Sequence, residues 1–343
     1  MVSEVNAMRA ARERSEAGVS RRRASMPLRR VRNTFFKLLY RYTHPRAFRH
    51  NERLGYGVTI ERDAAGRLTG MSIDGQRLRC VNGMPFNVRD SAECHLIATG
   101  PSVNALDYDA LPMPRVMGVN GAIALRRKFD LRFDYYCIVD AGFVRNHGEL
   151  VDRIVAEPLT LFATPTVLWH IAQRCAPSRM RCRVFLLDEM QFPAGRGALD
   201  TAQLRESHGP ASLAWFGSND AGPLGFSLDI RHGVFEGRTV AYTGLQVLAS
   251  LGFRRIYLHG LDLVNAARTP RFYEQSGTMQ ASQLDTHLRD VIAPSFRHAG
   301  ALLRRRGVQV TNLSMVSALG EDVLPKLCWQ ALVQEEEHES LCA

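Results

Sequence analysis

Two aspartates close apolar runs in this 343-residue chain, Asp140 after YYCIV and Asp262 after RRIYLHGL. A carboxylate at a strand end can take a proton from an attacking hydroxyl or attack an electron-poor carbon itself; it can also simply cap the next helix. Two on one sheet edge favour chemistry over capping. A third feature is the turn Thr99-Gly100-Pro101-Ser102, which follows the apolar run HLIA. Glycine lets a ligand approach the backbone, proline presets the first turn, and Ser102 with the free N–H groups beyond it can receive a phosphate. His259, His287 and His298 are further acid–base candidates, although most of the 11 histidines must be structural or solvated.

Several chemistries find no support. The chain has no G-x-G-x-x-G fingerprint, no Walker loop and no G-x-S-x-G elbow, which argues against dinucleotide redox chemistry, P-loop ATP chemistry and serine hydrolysis. Asp107-Tyr108-Asp109 has the D-x-D form of a metal site, but it follows the Gly-Pro-Ser turn instead of ending a strand. Leu106 and Leu111 mark it as a packed surface loop, so the spacing reads as chance. The seven cysteines form no C-x-x-C pair and are odd in number, which suggests buried reduced thiols and no structural zinc.

The elements that must position these residues follow one pattern from Glu93 to about Ser314: a short apolar run, then a helix-like stretch. Expected strands are His95–Ala98, Arg115–Val119, Tyr135–Val139, Leu159–Ala163, Arg183–Leu187, Arg255–His259 and Val308–Leu313. The fold class is α/β, a Rossmann-like, mostly parallel, doubly wound sheet. In such a sheet the crevice lies beyond the carboxyl ends of the strands. The helix after Thr239 shows Leu245, Leu248 and Leu251 on one face and stops at Gly252; a second long helical stretch runs from Gln283 to Arg306.

Residues 1–50 hold 13 Lys and Arg against 3 Glu, so the whole net charge of +10 lies there and the remainder is neutral. A basic arm without a basic face on the folded domain gives nucleic acid only non-specific attraction, and no nucleic-acid partner is expected. Phe35, Phe36, Leu38, Leu39, Tyr40 and Tyr42, interleaved with Arg32, Lys37 and Arg41, suit the headgroup layer of an anionic membrane. The same pattern suits a helix packed on the main domain, and the charge tips the balance to the membrane. No apolar run reaches the roughly 18 residues of a spanning helix. The expected location is the cytoplasm, peripheral on the inner face of the cytoplasmic membrane. The expected organisation is a basic membrane-associating arm (1–50), a small antiparallel β decoration (51–92), the Rossmann-like domain (93–320) and a C-terminal tail (321–343).

The segments IATGPSVNALDYDALP, MGVNGAIAL, FDYYCIVDAGFV and TVAYTGLQVLASLGFRRIYLHGLDL, taken in this order, resemble the sialyltransferase-like bacterial glycosyltransferases that use CMP-activated ulosonic acids. The resemblance is nearest to proteins that add a third Kdo residue to the lipopolysaccharide core. It implies a glycosyltransferase moving Kdo from CMP-Kdo to the inner core, with the CMP-sugar as donor substrate, a lipopolysaccharide acceptor, and no metal or other cofactor. It also implies nucleotide contacts from Thr99, Gly100, Pro101, Ser102 and Asn120. Thr243 and Gly244 approach the ribose and donor, and Tyr273 offers one phosphate-steadying tyrosine where the family has two. Thr99 replaces the family's asparagine, and the family's catalytic histidine falls near Asp290, with His287 one turn away. Asp140, Asp262 and His287 are the catalytic candidates. Another CMP-sugar transferase of the same kind remains open. So does a pterin pyrophosphokinase-like phosphotransferase, which shares the G-P-S turn and the GFRRIYLHGLDL cadence.

Overall fold

Seven short, mostly apolar runs form one parallel sheet because each is too short for a helix; the central strands are buried on both faces, while exposed residues such as Arg183 and Gln309 occur on the edge strands. The computed structural model describes residues 33–334 except 82–92 and positions 208, 210, 211, 221, 276 and 278. The arm ahead of residue 33 and the acidic stretch after 334 lie outside the described residues, as does Cys342. The sheet contains β4 (Glu93–Ile97), β5 (Val116–Val119), β6 (Tyr135–Ile138), β7 (Thr160–Ala163), β8 (Arg183–Leu186), β11 (Arg255–His259) and β12 (Gln309–Asn312), in the order β12-β11-β4-β5-β6-β7-β8. All six pairings are parallel. The chain winds outward from β4 to β8, then returns to the other side of β4, so the switch point lies between β4 and β11. In a doubly wound sheet the loops after two such strands run to opposite faces, and ligands bind beside them.

Apolar cores cover both faces. One contains Leu245, Leu248 and Leu251 of α6 (Val240–Leu251) with Phe296 and Leu303 of α8 (Ala293–Arg305); the other contains Val151 and Ile154 of α3 (Gly148–Val155) with Val167 and Leu168 of α4 (Pro165–Ala172). Gly252 closes α6 in the left-handed region at φ 98°. Thr239 precedes α6 in an extended conformation and makes no side-chain cap bond. The last helical stretch is not continuous: α7 (Leu284–His287) passes through a π-turn (Leu288–Ile292) into α8. The sequence reading also missed the antiparallel hairpin of β9 (Leu213–Asn219) and β10 (Gly222–Ser227), and the short helix α5 (Thr201–Ser207) before it. Cys94, Cys137 and Cys182 are buried thiols, while Cys328 is exposed.

Before the sheet, α1 (residues 33–43) leads into a 3-10 helix, Arg46–Arg53, and then into the expected antiparallel decoration of β1 (Val58–Arg62), β2 (Leu68–Ile73) and β3 (Gln76–Arg77). The chain next runs beside β8, with Val81 N–H on the Val184 carbonyl and Val184 N–H on that of Arg79, and so covers an edge that would otherwise be open. The Arg46–Arg53 helix is docked on the body. Asn51 donates to the Arg196 carbonyl and accepts from Gly195 N–H, both at 2.7 Å, and Ala198 N–H reaches the Ala47 carbonyl. The Arg46–Arg53 helix therefore spans residue 50 and packs with the body. Among the described residues no helix is long and apolar enough to cross a membrane.

Candidate active site

At the switch point the two diverging loops stay paired for one more step, with Ala98 N–H on the His259 carbonyl and Gly100 N–H on that of Gly260. This approach explains Gly100: a Cβ there would lie 2.4 Å from a carboxylate oxygen of Asp262 and 2.6 Å from the Gly260 carbonyl. Asp262 is buried and its carboxylate is engaged. Ser102 donates to it twice, from N–H at 2.8 Å and from Oγ at 2.5 Å, and Ser314 donates its hydroxyl as well. Asp262 thus ties the Gly-Pro-Ser turn to the end of β12, and the Ser102 donors expected to meet a phosphate meet this carboxylate. Thr99 is half-buried, its carbonyl accepting from Phe272 N–H, and Pro101 opens the next turn.

Asn120 is the residue after β5. It is buried, in the left-handed region at φ 44°, and its carbonyl accepts from the Tyr136 hydroxyl. Its side-chain Oδ1 is buried without a hydrogen-bond partner. Such an atom costs about 1–3 kcal/mol when nothing meets it, and a ligand donor would satisfy it. Beside it the Tyr273 ring lies on Gly121, so close that a Cβ on Gly121 would fall 2.0 Å from a ring carbon. Burial pushes the Tyr273 hydroxyl well above its usual range; Arg271 pulls it back while Glu274 and Asp140 add to it, which places Asp140 in the same neighbourhood. Asp140 ends β6 half-buried and caps α2 (Ala141–Asn146), its Oδ1 accepting from Gly142 N–H at 2.6 Å.

The loop around Tyr273 covers this group, and the sequence reading did not single out its other residues. Arg271 donates to Glu274 at 2.9 Å, Glu274 lies 3.4 Å from His147, and its carboxylate also accepts from Gln280 N–H. The Glu274 side chain is 1% exposed, so the carboxylate staples the loop from inside. The available signal was the R-x-x-E spacing around Tyr273.

The remaining candidates come from other elements. Thr243 is buried in α6 with its Oγ1 unpartnered, like Asn120 Oδ1. Gly244 faces the sheet: a Cβ there would lie 2.6 Å from Leu96, so this glycine sets the approach of helix to strand. His287 is half-buried at the entrance of the π-turn. His259 is interior, its Nε2 2.9 Å from His95 Nδ1, and His95 reaches Glu93 at 2.9 Å. Burial first, and then His95, hold His259 well below the usual imidazole range, which suits a neutral structural group. Asp107 of the D-x-D caps Asp109 N–H at the surface. Among the described residues no three His, Cys, Asp or Glu side chains converge as a metal site.

Residues 218–330 match the family model described as 3-deoxy-D-manno-octulosonic acid transferase WaaZ. The chain resembles Kdo transferases. A probable 3-deoxy-manno-octulosonic acid transferase of Salmonella typhimurium is 24% identical over 260 residues, covering 72% of this chain and 91% of that protein. A second, from Escherichia coli, is 31% identical over 113 residues, covering 33% of this chain and 38% of its own. The solved MAf glycosyltransferase of Magnetospirillum magneticum AMB-1 overlaps 72% of this chain and 36% of its own, with TM-score 0.40 and 17% identity. The resemblance read in the sequence stands, and with it the reading of the chain as a glycosyltransferase. The matched segment includes Thr243, Gly244, Asp262, Tyr273 and His287.

Proposed function

We propose that this chain transfers Kdo from CMP-Kdo to a lipopolysaccharide core acceptor in the switch-point crevice while its basic head rests on an anionic membrane surface, the inner face of the cytoplasmic membrane. The match of residues 218–330 to the Kdo transferase family carries this reading. The CMP moiety sits on the Thr99–Ser102 turn, with Asn120 Oδ1 accepting from a nucleotide donor and Thr243 supplying a second buried polar atom. Asp262 acts through Ser102, as a positioning residue that holds the turn. Asp140 is the carboxylate at the reacting centre: Oδ1 is fixed by Gly142, and Oδ2 faces the acceptor hydroxyl and takes its proton. His287 is the alternative base. A tertiary anomeric carbon readily develops oxocarbenium character, so neither metal nor other cofactor is required.

The membrane part rests on α1. Phe35 is 66% exposed, Leu38 and Leu39 50% each and Tyr42 84%, at the i, i+3, i+4, i+7 spacing of one helix face. The helix is held by its other side, with the Phe36 ring 5.9 Å from that of Tyr56. An apolar stripe with the net charge of +10 beside it suits anionic lipid better than a second equally basic copy.

The test is release of CMP from freshly made CMP-Kdo with core acceptor and chelator present. CMP-sialic acid, and ATP with Mg²⁺ and a pterin, serve as rival substrates. Turnover of CMP-Kdo supports the reading, and turnover of a rival alone overturns it. Asp140→Asn should cost about 10² to 10⁴ in rate while CMP still stabilises the protein. Full activity in that variant removes Asp140 from the mechanism, and loss of a pH–rate limb in His287→Ala would move the base to His287.

A further inference from the structure

Beyond the end of β8 a small, partly open pocket lies at the same carboxyl edge, and none of the candidate site residues lines it. Glu189 and Phe192 come from the loop after β8, Leu224 from the β9–β10 hairpin, Glu236 and Arg238 from the segment entering α6, and Val291 from the π-turn. Arg238 adopts φ 58°, a left-handed conformation uncommon for arginine and of the kind stored at binding sites. It pairs with Glu236 at 3.3 Å, and both stay substantially exposed. The pocket therefore presents carboxyl and guanidinium groups beside an exposed phenylalanine ring. Hydroxyl-rich rings bind such surfaces through hydrogen bonds on their edges and apolar contact on their faces.

We propose that this pocket is the acceptor subsite and takes a neutral, polyhydroxylated sugar unit of the acceptor chain. The inference rests on the transferase reading above and deepens it. Three observations favour it. β8 lies two strands from β6 and Asp140, roughly 10 Å at the usual spacing, which a two- or three-sugar chain spans. Two acidic side chains, Glu189 and Glu236, line the pocket against one arginine, Arg238, which is already paired with Glu236, so the pocket offers no spare cation to a phosphorylated or carboxylated unit. The Glu189 loop also leads directly to the docking place of the Arg46–Arg53 helix: His50 lies 3.0 Å from the Pro193 carbonyl, and its ring is 5.5 Å from that of Phe192. Since α1 runs straight into the Arg46–Arg53 helix, the membrane-facing stripe and the pocket are joined through a short stretch of chain, as a lipid-borne acceptor requires.

Glu189 adds a pH signature. Burial pushes its carboxyl up to about 7, the like charges of Glu236 and Asp188 add to this, and Arg53 opposes it. Arg62 is bound to Asp188 and Arg238 to Glu236, so neither arginine is left to neutralise Glu189 fully. Below that pH Glu189 donates a hydrogen bond to a sugar oxygen, and above it becomes a buried anion.

The test uses the full chain and delipidated core oligosaccharide, native and dephosphorylated, with binding read by saturation-transfer NMR and calorimetry. The dephosphorylated chain should bind at least as tightly as the native one. Glu189→Ala and Glu236→Ala should each weaken it about tenfold, the loss of one good hydrogen bond, while Glu189→Gln retains binding and flattens its pH dependence. CMP-induced stabilisation should be the same in all three. Glu236 is 57% exposed, so its variant reads the subsite even if Glu189→Ala does not fold. Wild-type affinity in both alanine variants, or no oligosaccharide binding by the wild type, overturns the subsite. Oligosaccharide binding that depends on these residues without CMP release from CMP-Kdo overturns the donor assignment and leaves the subsite standing.

Discussion

Asn120 joins three demands in one residue: a left-handed backbone, a carbonyl for Tyr136, and a side-chain oxygen with no partner. Asn120→Gly keeps the first two and deletes the third. It should lower CMP affinity by about 1–3 kcal/mol, seen as a reduced CMP-induced rise in Tm, with the Tm of the unliganded protein little changed. An unchanged rise would make Asn120 a turn residue only. Gly100→Ala acts differently, because its Cβ would fall 2.4 Å from Asp262 and 2.6 Å from a backbone carbonyl that cannot swing away. The turn must move and break the Ser102–Asp262 bonds, so stability and CMP binding should fall together; an alanine variant with both intact would refute the packing described. Glu189 has a sign that can be worked out. Its folded carboxyl is raised from 4.5 to about 7, so the folded state keeps a proton the unfolded chain releases, and stability falls as pH rises through that interval. Glu189→Gln should therefore be the more stable protein well above pH 7, by roughly 3 kcal/mol at most, and should lose the advantage near pH 4. Urea unfolding of both proteins at the two pH values measures it.

At the scale of elements, α1 and α6 show how the same apolar periodicity serves opposite ends. In α6 the stripe is fully covered, and Gly244 brings the helix against Leu96; Gly244→Val should force the two apart and cost about 1–3 kcal/mol. In α1 the stripe of Phe35, Leu38, Leu39 and Tyr42 faces solvent. Replacing Phe35 and Leu39 by Glu should abolish sedimentation with anionic vesicles and leave Tm unchanged. A large drop in Tm would mean that the stripe packs on the protein. The 271–280 loop depends on one buried carboxylate, and Glu274→Ala, by leaving Arg271 and His147 without it, should free the loop from Tyr273 and weaken donor binding.

Across the whole molecule the head and the sheet edge form one unit. The docked Arg46–Arg53 helix means that removing residues 1–50 strips Ala47 and His50 from the 193–198 loop. Removing residues 1–32 leaves every described contact in place. The shorter deletion should weaken vesicle binding, in proportion to the basic residues lost at about 1 kcal/mol each near an anionic surface, and keep the original Tm; the longer one should lower Tm. Equal thermal stability of the two would show that the helix contributes nothing to the body.

The sequence by itself determined the sheet. Each strand of the parallel sheet declares itself as an apolar run too short for a helix and closed by a polar or glycine residue, and burial on both faces leaves such a run no other use. Strand-end residues such as Asp140, Asn120 and Asp262 could be found for the same reason. Their partners could not. Ser102 and Ser314 are 160 and 52 residues from the Asp262 they bind, and no local periodicity encodes that meeting. The hairpin of β9 and β10 was illegible because its half-exposed residues neither alternate cleanly nor form an apolar run. The pocket beyond β8 draws on segments from Glu189 to Val291, and a carboxyl raised by burial looks like any other glutamate in a linear chain. Periodicity is a local property written in neighbouring residues, while desolvation and charge pairing depend on what the folded chain brings within a few ångströms, and that only the tertiary structure decided.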